Sequence, residues 1–265
     1  MSYPHMWITI WINGQNSKLN IINGIIKKMS IERRIVVMST KIYNTPRLSA
    51  IIDKISADVI ADIGTDHAYI PIHAVLEKRC SRALASDIRS GPLEIAKKNT
   101  EKYGVSDKIS LRLGAGLDKI GVGEAEQIII AGMGGMTITD ILRNDTEKAK
   151  SAQSLLLQPM NDAHRLRKWL FENGFTIKKE DIAVEGYKVY NIFVCEKGEE
   201  SAEEPELHIP SKLFSNENFG IFLDKKIREF SKIVTGIERA SVKSDAEEED
   251  LIRYKALLEY ALKIK

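Results

Sequence analysis

Cysteine is nearly missing from this sequence. Cys80 and Cys195 are the only two in 265 residues, far apart and without a CxxC pair. This excludes a disulfide framework and a cysteine-based zinc site, and it fits a reducing, cytoplasmic setting. An excess of one charge is missing too: 39 Lys and Arg meet 37 Asp and Glu, a formal net charge of +2. The chain as a whole is therefore not drawn to nucleic acid or membranes, and any basic surface must be local. Long apolar runs are absent as well. The stretch MWITIWI, Met6 to Ile12, has seven residues, whereas a membrane helix needs about 20. It also lacks the basic start and small-residue cleavage site of a secretory signal. Neither a membrane nor a metal is expected as a partner.

What is present suffices for a core: 43% hydrophobic residues support one large domain, or one domain with an appendage. Residues 1–40 read as an extension, loosely ordered or reflecting a start assigned too early, with Met38 as the later start. A partner-binding arm is the alternative reading of this segment.

Residues 41–197 carry a regular rhythm. It runs from helix RLSAIIDKI through strand VIADI to a helix opening near Ala68 with Pro71 in its first turn. Strand RALASD and helix PLEIAKKNTEKYG, from Pro92 to Gly104, come next. Strands KISLRL, QIIIAG and SLLLQP follow, and the last two lead into helical stretches MTITDILRN and DAHRLRKWLFEN. Such alternation predicts a parallel sheet covered by helices. After Gly174, FTIKKEDIAVE and YKVYNIFVCEK are joined only by Glu185 and Gly186, which predicts an antiparallel hairpin. Five parallel strands closed by a hairpin make, by analogy of fold, the α/β Rossmann-like sheet of class I methyltransferases.

Residues 198–215, acidic and Pro-containing, read as a linker. Within 216–265, Phe219, Leu223, Ile227, Phe230, Val234 and Ile237 recur at helical spacing, as do Leu251, Tyr254, Leu258 and Leu262. This predicts a helical hairpin that turns near Ser241 to Ala246. It either packs on itself or the sheet, or grips a large substrate with Lys225, Lys226, Arg228, Lys232 and Arg239 on its outer side.

A phosphate loop is also absent. In VIADIGTDHAYIP, Val59 to Pro71, Gly64 stands alone where a G-x-G-x-x-G fingerprint has three glycines, and Asp62 and Asp66 flank it. That pair repels a pyrophosphate and attracts a cation. S-adenosylmethionine, with its sulfonium and ammonium, fits; the bland alternative is that an aspartate, Asp66 above all, caps the following helix. Asp87 ends the second strand, where a carboxylate accepts hydrogen bonds from ribose hydroxyls or serves a turn. Ala115 and Gly116, after the third strand, are placed to lie beside the cofactor's adenine. Ala131 and Gly132 end the fourth strand, and Met133 and Gly134 continue a glycine-rich loop that lets backbone approach a flat substrate. No Asp/Asn-Pro-Pro-aromatic run stands there, which argues against methylation of an exocyclic amine. Gln158 and Asn161 bring amides to the same edge, either to hydrogen-bond a base or to shape the loop. Trp169 follows an apolar helix spacing and reads as core.

The segments ADIGTDHAYIP, GPLEIAKKN, IIIAGMGGM, LQPMNDAHRLRKWL and EGYKVYNIFV resemble the bacterial tRNA (adenine-N1)-methyltransferases of the TrmK type, over about residues 45–265. The motifs after the first and fourth strands, DIGTDHAY and AGMGG, are the specific ones. Ala115 departs from the pattern, since many such enzymes carry an acidic residue between those two glycines. The resemblance implies in-line methyl transfer from S-adenosylmethionine to N1 of an adenine in the D-arm region of tRNA. No covalent enzyme intermediate is needed, and catalysis would be mostly positioning. Asp66 and His67 are then candidates to stabilise the cationic methylated base or to accept a proton. Because N1 lies on the Watson–Crick edge, the target must be turned out of its stack. The tRNA must be held as well, by Arg165, its neighbours in HRLRKW and the hairpin cations. Three rivals remain: a small-molecule methyltransferase with no need of the helical appendage, a nicotinamide-binding protein, and a non-catalytic RNA-binding protein.

Overall fold

The computed structural model of the chain describes residues 7–12, 15–20, 42–240 and 242–265. Strands β1 (Trp7–Ile12) and β2 (Gln15–Asn20) pair antiparallel, Trp7 opposite Asn20 and Ile12 opposite Gln15. The later start expected at Met38 lies outside the described residues. The second compact unit begins at Asn44 and holds everything that follows.

That unit starts with α1 (Pro46–Ile52), where Pro46 opens the helix and the Thr45 hydroxyl accepts the Leu48 N–H. Then come β3 (Val59–Ile63), α2 (Tyr69–Leu76), β4 (Arg82–Asp87), α3 (Ser90–Lys102) and β5 (Ile109–Leu113). Next are β6 (Gln127–Met133), α4 (Gly135–Asn144), α5 (Thr146–Ser151), β7 (Ser154–Pro159) and α6 (Ala163–Glu172). The sheet ends with β8 (Phe175–Glu185) and β9 (Lys188–Lys197). Strand order is β5-β4-β3-β6-β7-β9-β8. The first five strands are parallel, and β9 runs antiparallel to both β7 and β8. This is the expected class I methyltransferase sheet.

The central strands are apolar along their whole length because helices cover both faces. Ile60, Ile128, Ile129, Ile130, Leu155, Leu156 and Leu157 are all buried. Trp169 is buried with them and stacks on Phe175, as a core residue does.

Residues 198–215, expected as a linker, carry regular structure and buried side chains. Helix α7 (Glu204–His208) and a 3₁₀ turn (Ser211–Leu213) fill this stretch, and Leu207, His208, Ile209 and Leu213 are buried. The Glu200 carboxylate accepts from the Ile177 N–H and the Thr176 hydroxyl, tying the segment to β8. Helices α8 (Phe219–Glu238) and α9 (Asp245–Lys263) form the expected hairpin. A Ser244–Glu247 capping box starts α9. The hairpin packs on the sheet: Phe222, Leu223, Phe230, Leu257 and Ala261 share a core with Ile182 of β8 and Val189 of β9. Of the five cations placed on its outer side, Arg228, Lys232 and Arg239 are exposed. Lys225 and Lys226 instead turn inward, and Lys225 Nζ donates to the Val189 carbonyl at 3.0 Å.

Candidate active site

The strand order reverses between β3 and β6, and the carboxyl ends of strands at such a switch point are where open α/β sheets bind ligands. The turn after β3 is stitched to β4: the N–H groups of Gly64 and Thr65 donate to the Ser86 carbonyl at 2.8 and 2.9 Å. Gly64 has φ +71°, and a Cβ built on it would stand 2.1 Å from Met133 Cε. Glycine at this position therefore lets the first turn touch the loop after β6. Asp62 is 2% exposed, and its Oδ2 accepts from the Thr65 hydroxyl at 2.6 Å. Burial pushes this carboxyl from 3.8 up to about 7, against the Thr65 hydrogen bond and with help from the charge of Asp87.

Asp66 does not cap a helix. The N-cap of α2 is Ala68, at φ +60°, with no side-chain hydrogen bond. Asp66 itself has φ +49° and an exposed carboxylate 3.6 Å from His67 Nε2. The turn that carries both is held by Asn99, whose Nδ2 donates to the His67 carbonyl at 2.9 Å. Asp87 is buried, its Oδ1 accepts the Arg89 N–H at 2.9 Å, and its own carbonyl accepts the Gly114 N–H at 3.0 Å. It therefore serves the turn into α3 and fastens the loop that carries Ala115 and Gly116. Gly116 has φ +47° and lies against Ile141, while Ala115 is exposed.

The end of β6, Ala131 through Met133, bulges at Gly132 and passes through Gly134 into α4 as one glycine-rich loop. Gln158 brackets it from β7: Oε1 accepts from the Gly132 N–H at 3.1 Å and from Arg47 Nη1 at 2.9 Å, while Nε2 donates to the Pro159 carbonyl at 2.9 Å. Gln158 is fully buried with both ends of its amide engaged. In this arrangement it shapes the loop, the second of the two readings open in the sequence. Asn161 is exposed, yet its Oδ1 and its carbonyl both accept from the Gly135 N–H, at 3.2 and 3.1 Å. A Cβ on Gly135 would meet the Asn161 and Asp162 carbonyl oxygens at 2.7 Å each. Arg165 is exposed on α6, as a phosphate contact requires. Arg167 is not: it turns inward, pairs with buried Glu180 and donates to the Leu207 carbonyl.

Three residues not singled out in the sequence help build this site. Thr65, three positions after Asp62, was readable as a hydroxyl within reach of a buried carboxylate. Gly135 stood unremarked in a glycine run. Arg47 had no signal, since nothing in a helical RLSAII stretch marks one arginine as the partner of a distant glutamine.

The Asp62 carboxyl predicts a pH dependence. Below pH 7 the Asp62 carboxyl holds its proton, which a cation seated against it would have to expel. Affinity for S-adenosylmethionine should fall about tenfold per pH unit below 7 and level off above it. Asp62→Asn should flatten the profile; titration calorimetry between pH 5.5 and 8.5 checks both. The sign for stability is opposite. With its folded pKa raised, this group favours the empty fold at low pH, and that contribution is lost as pH climbs through about 7.

A methyltransferase domain family model matches residues 44–193. The tRNA (adenine(22)-N(1))-methyltransferase of Bacillus subtilis is 36% identical over 195 residues, 72% of this chain and 82% of that protein. The crystal structure of the B. subtilis m1A22 tRNA methyltransferase TrmK superposes with a TM-score of 0.75 at 31% identity, covering 84% of this chain and 99% of that one. The Streptococcus pneumoniae structure in complex with S-adenosyl-L-methionine gives 0.72 at 32% identity, covering 82% of this chain and 100% of that one. M. capricolum TrmK in complex with S-adenosyl-homocysteine gives 0.74 at 29%, covering 85% and 100%. With the β3 and β6 motifs standing at the switch point of this sheet, the chain belongs to the methyltransferase domain family and, within it, to the bacterial tRNA (adenine-N1)-methyltransferases of the TrmK type.

Proposed function

We propose that this protein transfers a methyl group from S-adenosylmethionine to N1 of an adenine in the D-arm region of tRNA, with adenine 22 the target. The observation that carries the reading is the switch point of the sheet, where buried Asp62 stands at the turn that would otherwise be a phosphate loop and buried Asp87 ends the neighbouring strand. The tRNA substrate rests on the kinship to the B. subtilis enzyme over most of its length. The reaction belongs in the cytoplasm with its tRNA, where the free buried cysteines Cys80 and Cys195 stay reduced.

The residues divide the task. Asp62, with Gly64 and exposed Asp66, offers negative charge to the cationic methionine end of the cofactor. Asp87 takes the ribose hydroxyls, and Ala115, Gly116, Ala131 and Gly132 form the walls. When bound, S-adenosylmethionine supplies an electrophilic methyl group. Met133 and Gly134 set the plane of the adenine, and Asn161 supports that loop from below. Gln158 acts by position, holding Gly132 in place. Arg165 takes a backbone phosphate of the tRNA. Asp66 and His67 stand ready to balance the positive charge that methylation leaves on the base, or to accept its amine proton.

A small-molecule methyltransferase is the alternative reading. Deleting the helical hairpin does not separate the two cleanly, because Phe222 and Leu257 complete a core with Ile182 and Val189. The substrate itself does. Transcripts carrying guanine in place of adenine 22 should accept no label from radiolabelled S-adenosylmethionine, while the unaltered transcript is labelled to about one methyl per molecule. Equal labelling of both would refute the assignment.

A further inference from the structure

Tyr187 lies at the tip of the β8–β9 hairpin and is 90% exposed. Its place in the fold follows from the register. Strand β9 is antiparallel to β7, with Leu157 opposite Phe193. Continued by two residues, this sets Asn191 level with Pro159, the last residue of β7. Lys188 is three residues further on and Tyr187 four, so the tip extends about 10 Å past the carboxyl edge of the sheet, on the side where the substrate enters.

The tip is rigid. Glu185 pairs with Lys188 across a two-residue turn, and Gly186 takes the first central position with φ +61°. Below the turn, Val189 is buried against α8 and its carbonyl is held by Lys225 Nζ at 3.0 Å. Tyr190 lies beneath the Arg47 guanidinium, 5.7 Å from ring centroid to Cζ, which links the hairpin to the Gln158 bracket. A single exposed aromatic needs no explanation on an ordinary surface. Here it sits on a two-residue turn beyond the carboxyl edge of the parallel strands, beside exposed Lys188.

We propose that Tyr187 is a stacking platform for an unpaired base of the tRNA next to the flipped target. The proposal rests on the tRNA reading above. Turning out one nucleotide leaves its neighbours without a stacking partner, and an aromatic ring that carries no charge supplies one regardless of base identity.

The test compares wild type, Tyr187→Phe, Tyr187→Ala and Lys188→Ala on an unmodified tRNA transcript. KM for tRNA, Kd for S-adenosylmethionine, Tm and the salt dependence of tRNA binding are measured for each. Tyr187→Ala should raise KM for tRNA about tenfold, with cofactor Kd, Tm and the slope against salt unchanged. Tyr187→Phe should match wild type, because the ring stacks and the hydroxyl does not. Lys188→Ala should instead lower the salt slope by about one. Active wild type with Tyr187→Ala within twofold of it overturns the stacking role alone. So does a Tyr187→Phe defect as large as that of Tyr187→Ala. A wild-type enzyme that leaves tRNA unmethylated overturns both the stacking role and the tRNA reading.

Discussion

Asp87→Ala is expected to weaken S-adenosylmethionine binding about 100-fold while the protein stays folded. A carboxylate that accepts two ribose hydroxyls makes charge-assisted hydrogen bonds worth about 1.5–3 kcal/mol each. Losing one to two such bonds is a factor of about 10² in affinity. The fold tolerates the change because the local cost is one hydrogen bond from the Arg89 N–H and an ion pair with the exposed Arg89 side chain at 3.7 Å. Removal of the Asp87 charge also relieves buried Asp62, whose carboxyl that charge helps to hold up near 7. The midpoint of the pH profile for cofactor binding should therefore move down in this variant. Calorimetry on the purified variant, with circular dichroism as the control, reads both effects. Unchanged affinity would remove Asp87 from the site.

Gly135→Ala is expected to damage catalysis more than cofactor binding. The new methyl group would press on two backbone oxygens, those of Asn161 and Asp162, at 2.7 Å. Side chains can swing away from such a clash, but backbone can only shift. Overpacking of this kind costs about 1–3 kcal/mol in stability. The shift forces apart α4 and the β7–α6 turn, which together position Met133 and Gly134. A displacement near 1 Å in a reaction governed by alignment lowers turnover about 100-fold. The expected pattern is thus a large fall in kcat, a lower Tm and a nearly unchanged Kd for S-adenosylmethionine, since Asp62 and Asp87 sit on other strands. Gly91→Ala serves as a control, because a Cβ there meets nothing within 4 Å.

The sheet was legible because its signals are local. Apolar runs such as IIIA and LLL mark strands, and Gly104 and Gly174 mark helix ends, without reference to anything distant. Asp62 and Asp87 stood out in the sequence for the same reason: a carboxylate near the end of an apolar strand is conspicuous, and β3 and β4, which carry them, lie side by side in the sheet. What failed depended on tertiary partners. Gln158 was placed at the right edge, but its spacing could not say that Arg47 and Gly132 would claim its oxygen. Arg167 reads as surface charge in HRLRKW, yet it is buried against Glu180 because α7 and β8 close over it. Leu207, Ile209 and Leu213 obey no helical or strand period, so an ordered, buried strap looked like a linker. In the hairpin, the apolar stripe was readable, but it was drawn too narrow: Phe222 stands at helical spacing with Phe230, and Leu257 and Ala261 with Tyr254, and all three share the core with Ile182 and Val189.

The most direct test of the account is the product nucleoside. The protein is incubated with S-adenosylmethionine and unmodified tRNA, the RNA is digested to nucleosides, and these are separated and weighed by mass spectrometry. The account predicts 1-methyladenosine, abolished when adenine 22 is replaced. Methyl groups found only on N6 of adenosine, or no methyl group in the tRNA at all, would contradict it.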